Sequence, residues 1–166
     1  MITTANILLA AAVICLALMA GLFFAYSNSV MPALRKAPDS HFVQTMQQIN
    51  RTIQNPLFFV VFFGALLLLP ASAYMFYGTA RFKWLLAATI IYVFGVFAVT
   101  ALGNIPLNER LDKFNTATAG TADFAMARKN FEQRWNQLNN IRTLFSVWAL
   151  LLAVISFLVA EKDERH

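Results

Sequence analysis

Four long apolar stretches, separated by polar segments, dominate the hydrophobic pattern of this chain. No Asp, Glu, Lys or Arg occurs at residues 1–34, 52–80, 84–108 or 143–160. An uncharged apolar run of about 18 residues or more is long enough to cross a membrane as a helix. The pattern therefore predicts four membrane spans, at about residues 7–31, 56–77, 84–103 and 143–160.

The polar segments between the spans also carry helical patterns. Between spans one and two, apolar residues recur at helical spacing, namely Phe42, Met46, Ile49 and Ile53. This pattern predicts an amphipathic helix, with Asp39 or Ser40 capping its first turn. Residues 109–125 are expected to be the least structured part of the chain. A helix that starts near Asp123 is expected to continue without a break into span four.

These elements predict an all-α fold, an integral membrane four-helix bundle with amphipathic helical extensions between spans one and two and between spans three and four. We expect a single membrane domain over residues 1–166. Only 13% of the residues are charged and 59% are hydrophobic, whereas soluble domains carry roughly a quarter charged residues. An even number of spans places both termini on one side. The density of Lys and Arg beside the spans favours a cell-membrane protein with cytoplasmic termini.

The net charge of +5 does not indicate nucleic-acid binding. We attribute it to contacts with anionic lipid headgroups, because the chain has no nucleic-acid-binding motif. His41 and His166 do not have the spacing of metal ligands, and we find no phosphate loop and no pair of axial haem ligands. We therefore expect no metal and no cofactor. Membrane lipid is the expected partner, and a homo-oligomer is left open.

The predicted topology brings polar residues together at one face of the membrane. Spans one and three end on the side where spans two and four begin, so the polar residues at these ends are expected to form one layer. Polar groups at this depth tend to face the bundle interior. The candidate ligand-binding residues are Asn28, Asn55, Asn104, Asn108, Trp135, Asn139, Arg142 and Thr143. Gly21, Ala25 and Asn28 also share a small-residue face suited to close helix packing.

Two compatible interpretations of this layer remain open. In the structural one, Arg142 binds the free carbonyls where span three ends near Asn104, and asparagines cap the helix ends. In the functional one, the layer lines a pocket for a carbonyl, a phenolate or a lipid headgroup, with Arg142 as a permanent cation. Catalytic residues are unknown. The bases near the layer are Glu109, Asp112, Glu132 and His41, and Glu109 is not expected to share a helix face with its neighbour Asn108.

Three segments of the sequence resemble the anthrone oxygenase family of small four-span membrane proteins. They are Phe24–Leu34, the Asn-x-Pro-Leu-Asn element at residues 104–108, and Arg134-Trp135 followed by Asn139, Arg142 and Thr143. The resemblance implies oxidation of an anthrone to an anthraquinone by dioxygen without an evident cofactor. Such a reaction needs a base and a cation that stabilises the resulting anion. Arg142 would be the cation, but many family members have a histidine at the position of Asn140, so the base is not obvious.

These observations favour one functional hypothesis and leave an alternative. The favoured one is a multi-pass membrane protein with a polar pocket at one membrane face, which binds an apolar aromatic, quinone-like or lipid ligand. The alternative is a cofactor-independent enzyme similar to anthrone oxygenases. A transporter driven by ions or protons is disfavoured, because the spans have no charge in mid-membrane.

Overall fold

The computed structural model describes residues 3–159, and it is helical throughout apart from short connections. The described residues form five helices: α1, Thr4–Leu34; α2, Asp39–Thr52; α3, Pro56–Met75; α4, Phe82–Asp112; and α5, Thr121–Leu158. All but α2 are long and apolar enough to cross a membrane. The predicted helical membrane bundle is thereby confirmed. Ala160 at the predicted end of span four, His166 and the rest of the tail lie outside the described residues.

The four long helices form a bundle around an apolar core. α1 packs against α3 and α5, and the first part of α4, Phe82–Tyr92, packs against the same two helices. Fully buried core residues include Leu9, Leu16, Leu69, Leu85 and Ala153. Large apolar side chains are also exposed around the outside of the bundle, among them Leu57, Leu67, Phe94 and Leu102. Helices that are apolar on every face are typical of a membrane environment.

α2 is amphipathic, as the spacing predicted. Phe42, Val43 and Met46 are fully buried in a second apolar cluster that includes Phe131 and Trp135 of α5. The polar side of α2 is exposed. The predicted cap is wrong, because the residue before the helix is Pro38 and no side chain of residues 3–159 caps the first turn.

Two of the long helices continue past the ends predicted for their spans, and each passes through a proline. α1 continues through Pro32 to Leu34, and α4 continues through Pro106 to Asp112 instead of ending near residue 103. Each proline opens an α-helical turn directly after a π-helical segment. A proline within a helix removes a backbone hydrogen bond and crowds the preceding turn, and the wider π-helical turn before each of these prolines accommodates it.

The segment predicted to be least structured is shorter than expected. α4 already includes residues 109–112, and α5 starts at Thr121 rather than near Asp123. The non-helical connection is therefore confined to residues 113–120. The expectation of one uninterrupted helix into span four is confirmed by α5, which is 38 residues long.

Candidate functional site

Three π-helical segments lie within the described part of the chain. One is Tyr26–Val30 in α1, and two follow each other in α4, Val93–Ala98 and Thr100–Asn104. A π-helical turn holds more residues than an α-helical turn, and such segments are frequent at functional sites. Each of the three contributes to the same cavity, through Tyr26, Phe97 and Asn104 respectively. All three irregular turns therefore lie beside one cavity in the bundle.

The cavity has a volume of about 540 Å³ and lies where α1 and α4 end and α3 begins. This volume is within the range of small-molecule binding sites. One end is aromatic and is lined by Phe58, Phe59, Phe62, Phe63 and Phe97. The other end is charged and is lined by Arg51, Glu109, Asp112 and Lys113. The cavity thus joins an apolar floor inside the bundle to a polar mouth outside it.

Arg142 lies between these two ends and is 6% exposed. Its guanidinium carbon is 4.4 Å from the centroid of the Phe23 ring and 5.5 Å from that of the Trp135 ring. Nη2 donates to Asn139 Oδ1 at 2.8 Å, and Nη1 donates to Thr100 Oγ1 at 3.5 Å. Within residues 3–159 Arg142 forms no ion pair. Aromatic faces and neutral dipoles therefore stabilise this buried cation.

Asn139 connects Arg142 to the π-helical segment of α1. Its Nδ2 group donates to the backbone carbonyl of Phe23 at 3.1 Å and to Ser27 Oγ at 2.8 Å. Its Oδ1 atom accepts from Arg142, so three of its polar positions are used. This network fixes α5 against α1 at the level of the cavity.

Trp135 is held by a hydrogen bond from its indole N–H to Asn108 Oδ1, at 2.9 Å. The ring of Tyr26 lies 5.6 Å from the Trp135 ring. Both Trp135 and Asn108 line the cavity. The hydrogen bond joins the end of α4 to α5, so it sets the orientation of the indole beside Arg142.

Three buried residues that line the cavity have side-chain atoms without a hydrogen-bond partner in the described part of the chain. These atoms are both the Nδ2 and the Oδ1 of Asn104, the Nδ2 of Asn50 and the Nε of Arg142. We call these residues the polar trio. Asn104 is only 1% exposed. A buried polar group without a partner costs about 1–3 kcal/mol, so a bound molecule with oxygen atoms would recover part of that cost.

The structure places five of the eight predicted site residues around this cavity. They are Asn104, Asn108, Trp135, Asn139 and Arg142. Asn28 is exposed on α1 instead. Asn55 caps α3, with Oδ1 accepting from the Phe58 N–H at 3.0 Å. Thr143 is hydrogen-bonded to Ser27 and to the carbonyl of Asn139.

Two expectations about individual residues are wrong. Arg142 does not bind carbonyls near Asn104, because α4 remains helical there, and it binds Thr100 and Asn139 instead. Glu109 and Asn108 do not need to share a helix face, as expected, for both to line the cavity, because the mouth borders two adjacent faces of α4. The small-residue face of Gly21, Ala25 and Asn28 is exposed rather than packed against another helix.

The predicted bases are also separated by the structure. Glu109 and Asp112 line the mouth, where Asp112 is paired with Arg51 at 2.6 Å. Glu132 is outside the cavity and is paired with Arg128 at 2.7 Å. His41 is exposed on the polar side of α2.

Sequence reasoning missed several residues of the cavity. Thr100 and Phe23 are inside apolar runs, where one hydroxyl or one more phenylalanine gives no distinct signal. The floor had a detectable signal, because Phe58 and Phe62 are four residues apart and Phe59 and Phe63 repeat that spacing. Residues four apart share a face of a helix.

Comparison with known proteins identifies the family. The family model described as "Anthrone oxygenase" matches residues 58–152, a range that includes Asn104, Trp135 and Arg142. No curated protein and no solved structure matches the chain. The matched range covers more than half of the 166 residues, and the chain therefore belongs to the anthrone oxygenase family.

Proposed function

We propose that this is a multi-pass membrane protein that binds an apolar aromatic or quinone-like molecule in the cavity. The observation that carries the proposal is Asn104, whose two buried polar atoms have no partner among residues 3–159, although it borders an aromatic cavity. An amide in this state can both donate and accept a hydrogen bond. Its environment favours a ligand that carries oxygen on an otherwise apolar frame.

The aromatic end of the cavity supports a flat ligand. The Phe62 ring is stacked with the Phe58 ring at 5.5 Å and 13°, and with the Phe97 ring at 5.8 Å and 29°. Aromatic rings interact favourably at such separations, by about 0.5–1.5 kcal/mol beyond their burial. A fused-ring molecule would extend this stack. A lipid acyl chain would also bury apolar surface in the cavity, but it could not stack on the phenylalanine rings.

The polar trio supports oxygen substituents on that ligand. Arg142 Nε and Asn50 Nδ2 are donors, and Asn104 supplies one more donor and one acceptor. A ring carbonyl accepts hydrogen bonds and a ring hydroxyl both donates and accepts. A hydroxylated aromatic ketone therefore matches both the donors and the acceptor of the polar trio, whereas a hydrocarbon matches neither.

The proposal is tested by titrating the purified protein in lipid nanodiscs with a dihydroxyanthraquinone. Quenching of tryptophan fluorescence would report binding, because Trp135 lines the cavity. We expect Asn104→Ala and Arg142→Met to weaken binding by roughly tenfold or more, the value of a hydrogen bond to a charged or buried group. Asn28→Ala is the matched control, because Asn28 is exposed and outside the cavity. Equal affinities for all four proteins would refute the proposal.

A second candidate function is a cofactor-independent oxygenase acting on an anthrone. Membership of the family favours it, and so does Glu109, which borders the cavity and has no ion pair in the range 3–159. A carboxylate can act as a general base, and a buried cation stabilises a developing oxyanion. In this scheme Glu109 acts as the base, because Asn140 occupies the position where many family members have a histidine.

The chemical steps balance with dioxygen as the only oxidant. The base removes a proton from the ring CH₂ of the anthrone, and the electron pair delocalises to the carbonyl oxygen beside Arg142. The carbanion reduces dioxygen and bonds to it, giving a hydroperoxide after protonation. Loss of water from the hydroperoxide then forms the second carbonyl. One anthrone and one dioxygen give one anthraquinone and one water.

Turnover is measured by absorbance after mixing an anthrone with the protein in air-saturated buffer. Empty nanodiscs are the control, because anthrones also oxidise spontaneously. An oxygenase would exceed that background, and Glu109→Gln would lose most of the excess while still binding the anthraquinone. A rate equal to that of empty nanodiscs would refute the enzyme and leave the binding function standing.

A further inference from the structure

Besides the charged mouth, a second part of the cavity wall is closed only by side chains. It lies between α3 and α4. α4 packs against α3 along Phe82–Tyr92, but beyond Tyr92 it packs against α5 through both of its π-helical segments. The first turns of α3 and the last turns of α4 therefore diverge. The space between them borders the aromatic end of the cavity.

Phenylalanine rings fill this space. The Phe97 ring of α4 is 5.8 Å from Phe62 and 6.3 Å from Phe63 of α3. Phe63 is in turn 6.1 Å from Phe59. The barrier between the cavity and the outside is thus made of side chains, whose rotation is much faster than movement of a helix.

The outer side of this barrier faces the apolar surface of the bundle. Phe59 is 41% exposed and Phe63 is 42% exposed, although both also line the cavity. Neighbouring residues on the same surface are apolar and more exposed still, with Val60 at 67% and Leu102 at 82%. Phe59 and Phe63 are roughly 5 and 10 Å along the axis from the start of α3, given a rise of 1.5 Å per residue. A span that begins at the hydrocarbon boundary places both rings inside the hydrocarbon layer, which is about 30 Å thick.

The charged mouth is a poor route for an apolar molecule. The ion pair between Arg51 and Asp112 spans it at 2.6 Å, and Glu109 and Lys113 line the same end. A molecule that passed through would have to displace water from these groups, which is costly. A fused-ring aromatic is moreover concentrated in the bilayer rather than in water.

We infer that the cavity opens laterally to the bilayer between α3 and α4, through a gate formed by Phe59, Phe63 and Phe97, and that its ligand is an oxygenated aromatic amphiphile taken up from the lipid phase. This inference rests on the proposed binding function. The ligand passes the gate with its oxygen-bearing edge first, places its oxygen atoms at the polar trio and leaves its rings against the phenylalanines. Its most polar edge then faces the charged mouth and water.

The test measures association rates with a dihydroxyanthraquinone that is already dissolved in the nanodisc lipid. Phe63→Ala would widen the gate and Phe63→Trp would narrow it, so we expect the association rate constant to rise and fall respectively, each by roughly fivefold, within the range usual for mutants of one site. Dissociation through the same gate changes in the same direction, and because Phe63 also lines the cavity, the association rate constant rather than the Kd reports the gate. Phe94→Ala and Phe94→Trp are the matched controls, because Phe94 is exposed on α4 and does not line the cavity.

The outcomes separate this inference from the function on which it rests. A wild-type protein that does not bind the anthraquinone refutes the proposed function itself. Normal binding with rates that are indifferent to Phe63 refutes the lateral route. Faster association in Arg51→Ala, combined with unchanged Phe63 variants, would assign access to the charged mouth instead. If Phe63→Trp does not fold, Phe63→Ala measures the same gate in the opposite direction.

Discussion

The side-chain amide of Asn139 donates a hydrogen bond to the main-chain carbonyl of Phe23, across the interface between α5 and α1. The carbonyl lies just before the π-helical segment Tyr26–Val30, where the backbone N–H of Tyr26 contacts both Leu22 O and Phe23 O. The amide oxygen of Asn139 accepts from Arg142 at the same time. One side chain therefore couples an irregular turn in α1 to the buried cation of the cavity.

Asn139→Ala should lower stability and ligand affinity together. It removes the donor to Phe23 and the acceptor for Arg142, which leaves buried polar groups that each cost about 1–3 kcal/mol. The thermal unfolding midpoint in detergent and the affinity for a dihydroxyanthraquinone would both fall. Asn140→Ala is the control, because Asn140 is exposed and, among the described residues, its side chain only accepts a hydrogen bond from Ser27. Equal behaviour of the two variants would contradict the role given to Asn139.

Arg142→Lys should not preserve the site, although it preserves the charge. The guanidinium lies against the rings of Phe23 and Trp135 and uses two different nitrogens for Asn139 and Thr100. An ammonium has neither the flat face nor the fork geometry. We expect affinity for the anthraquinone to fall by roughly tenfold or more, since hydrogen bonds to charged groups are worth about 1.5–3 kcal/mol. Arg134→Lys, at an exposed position on the same helix, should bind normally, and an unaffected Arg142→Lys would be the contrary result.

The sequence predicted the location of those site residues whose position follows from the topology of the bundle alone. Asn104, Asn108 and Arg142 flank the ends of apolar runs, and an up-and-down bundle necessarily brings such ends to one face. The sequence was less informative for Asn28, because its spacing from Gly21 and Ala25 shows that they share a face of α1 but not that this face is exposed. The segment Tyr26–Val30 has no sequence pattern that marks it as π-helical.

The contribution of α2 to the cavity could be predicted only in part. Its amphipathic pattern indicated a buried side, and Asn50 lies at the edge of that side. The pattern could not show what the buried side would contact, because α2 packs on the end of α4 as well as on α5. That arrangement depends on α4 continuing past residue 103, where span three was predicted to end.

Gln47→Leu should destabilise the contact between α2 and the end of α4. The Gln47 amide donates to the carbonyls of Leu111 at 2.8 Å and Phe114 at 2.9 Å, where α4 ends. Carbonyls at a helix end have no partner within the helix, so the loss would cost about 1–3 kcal/mol and lower the thermal midpoint. Gln48→Leu changes an exposed neighbour and serves as the control. Gln47→Glu should be at least as harmful, because a carboxylate cannot donate; a stable Gln47→Glu protein would argue against this cap.

Gly95→Ala should destabilise the bundle, whereas Gly21→Ala should not. A methyl group at Gly95 would overlap the Phe145 ring of α5, while one at Gly21 would meet no atom of the described residues within 4 Å. Overpacking a tight contact costs about 1–3 kcal/mol, and replacing glycine by alanine in an open helix gains about 0.5–1 kcal/mol. Thermal unfolding of the two variants side by side checks this. A Gly95→Ala protein as stable as the wild type would mean that α4 and α5 separate easily.

The paired π-helical segments of α4 have a consequence for how this cavity tolerates changes in chain length. A π-helical turn is equivalent to an α-helical turn with one residue inserted, so deleting one residue from Thr100–Asn104 would restore an ordinary helix. Side chains beyond that point would keep their direction, because the wide turn had absorbed the extra residue. A residue inserted in the ordinary α-helical turn between Asn104 and Asn108 would instead rotate every later side chain by about 100° about the helix axis. Asn108 would leave Trp135, and the edge of the cavity would be lost without replacing any of its residues. The binding site therefore depends on a residue count as much as on residue identity.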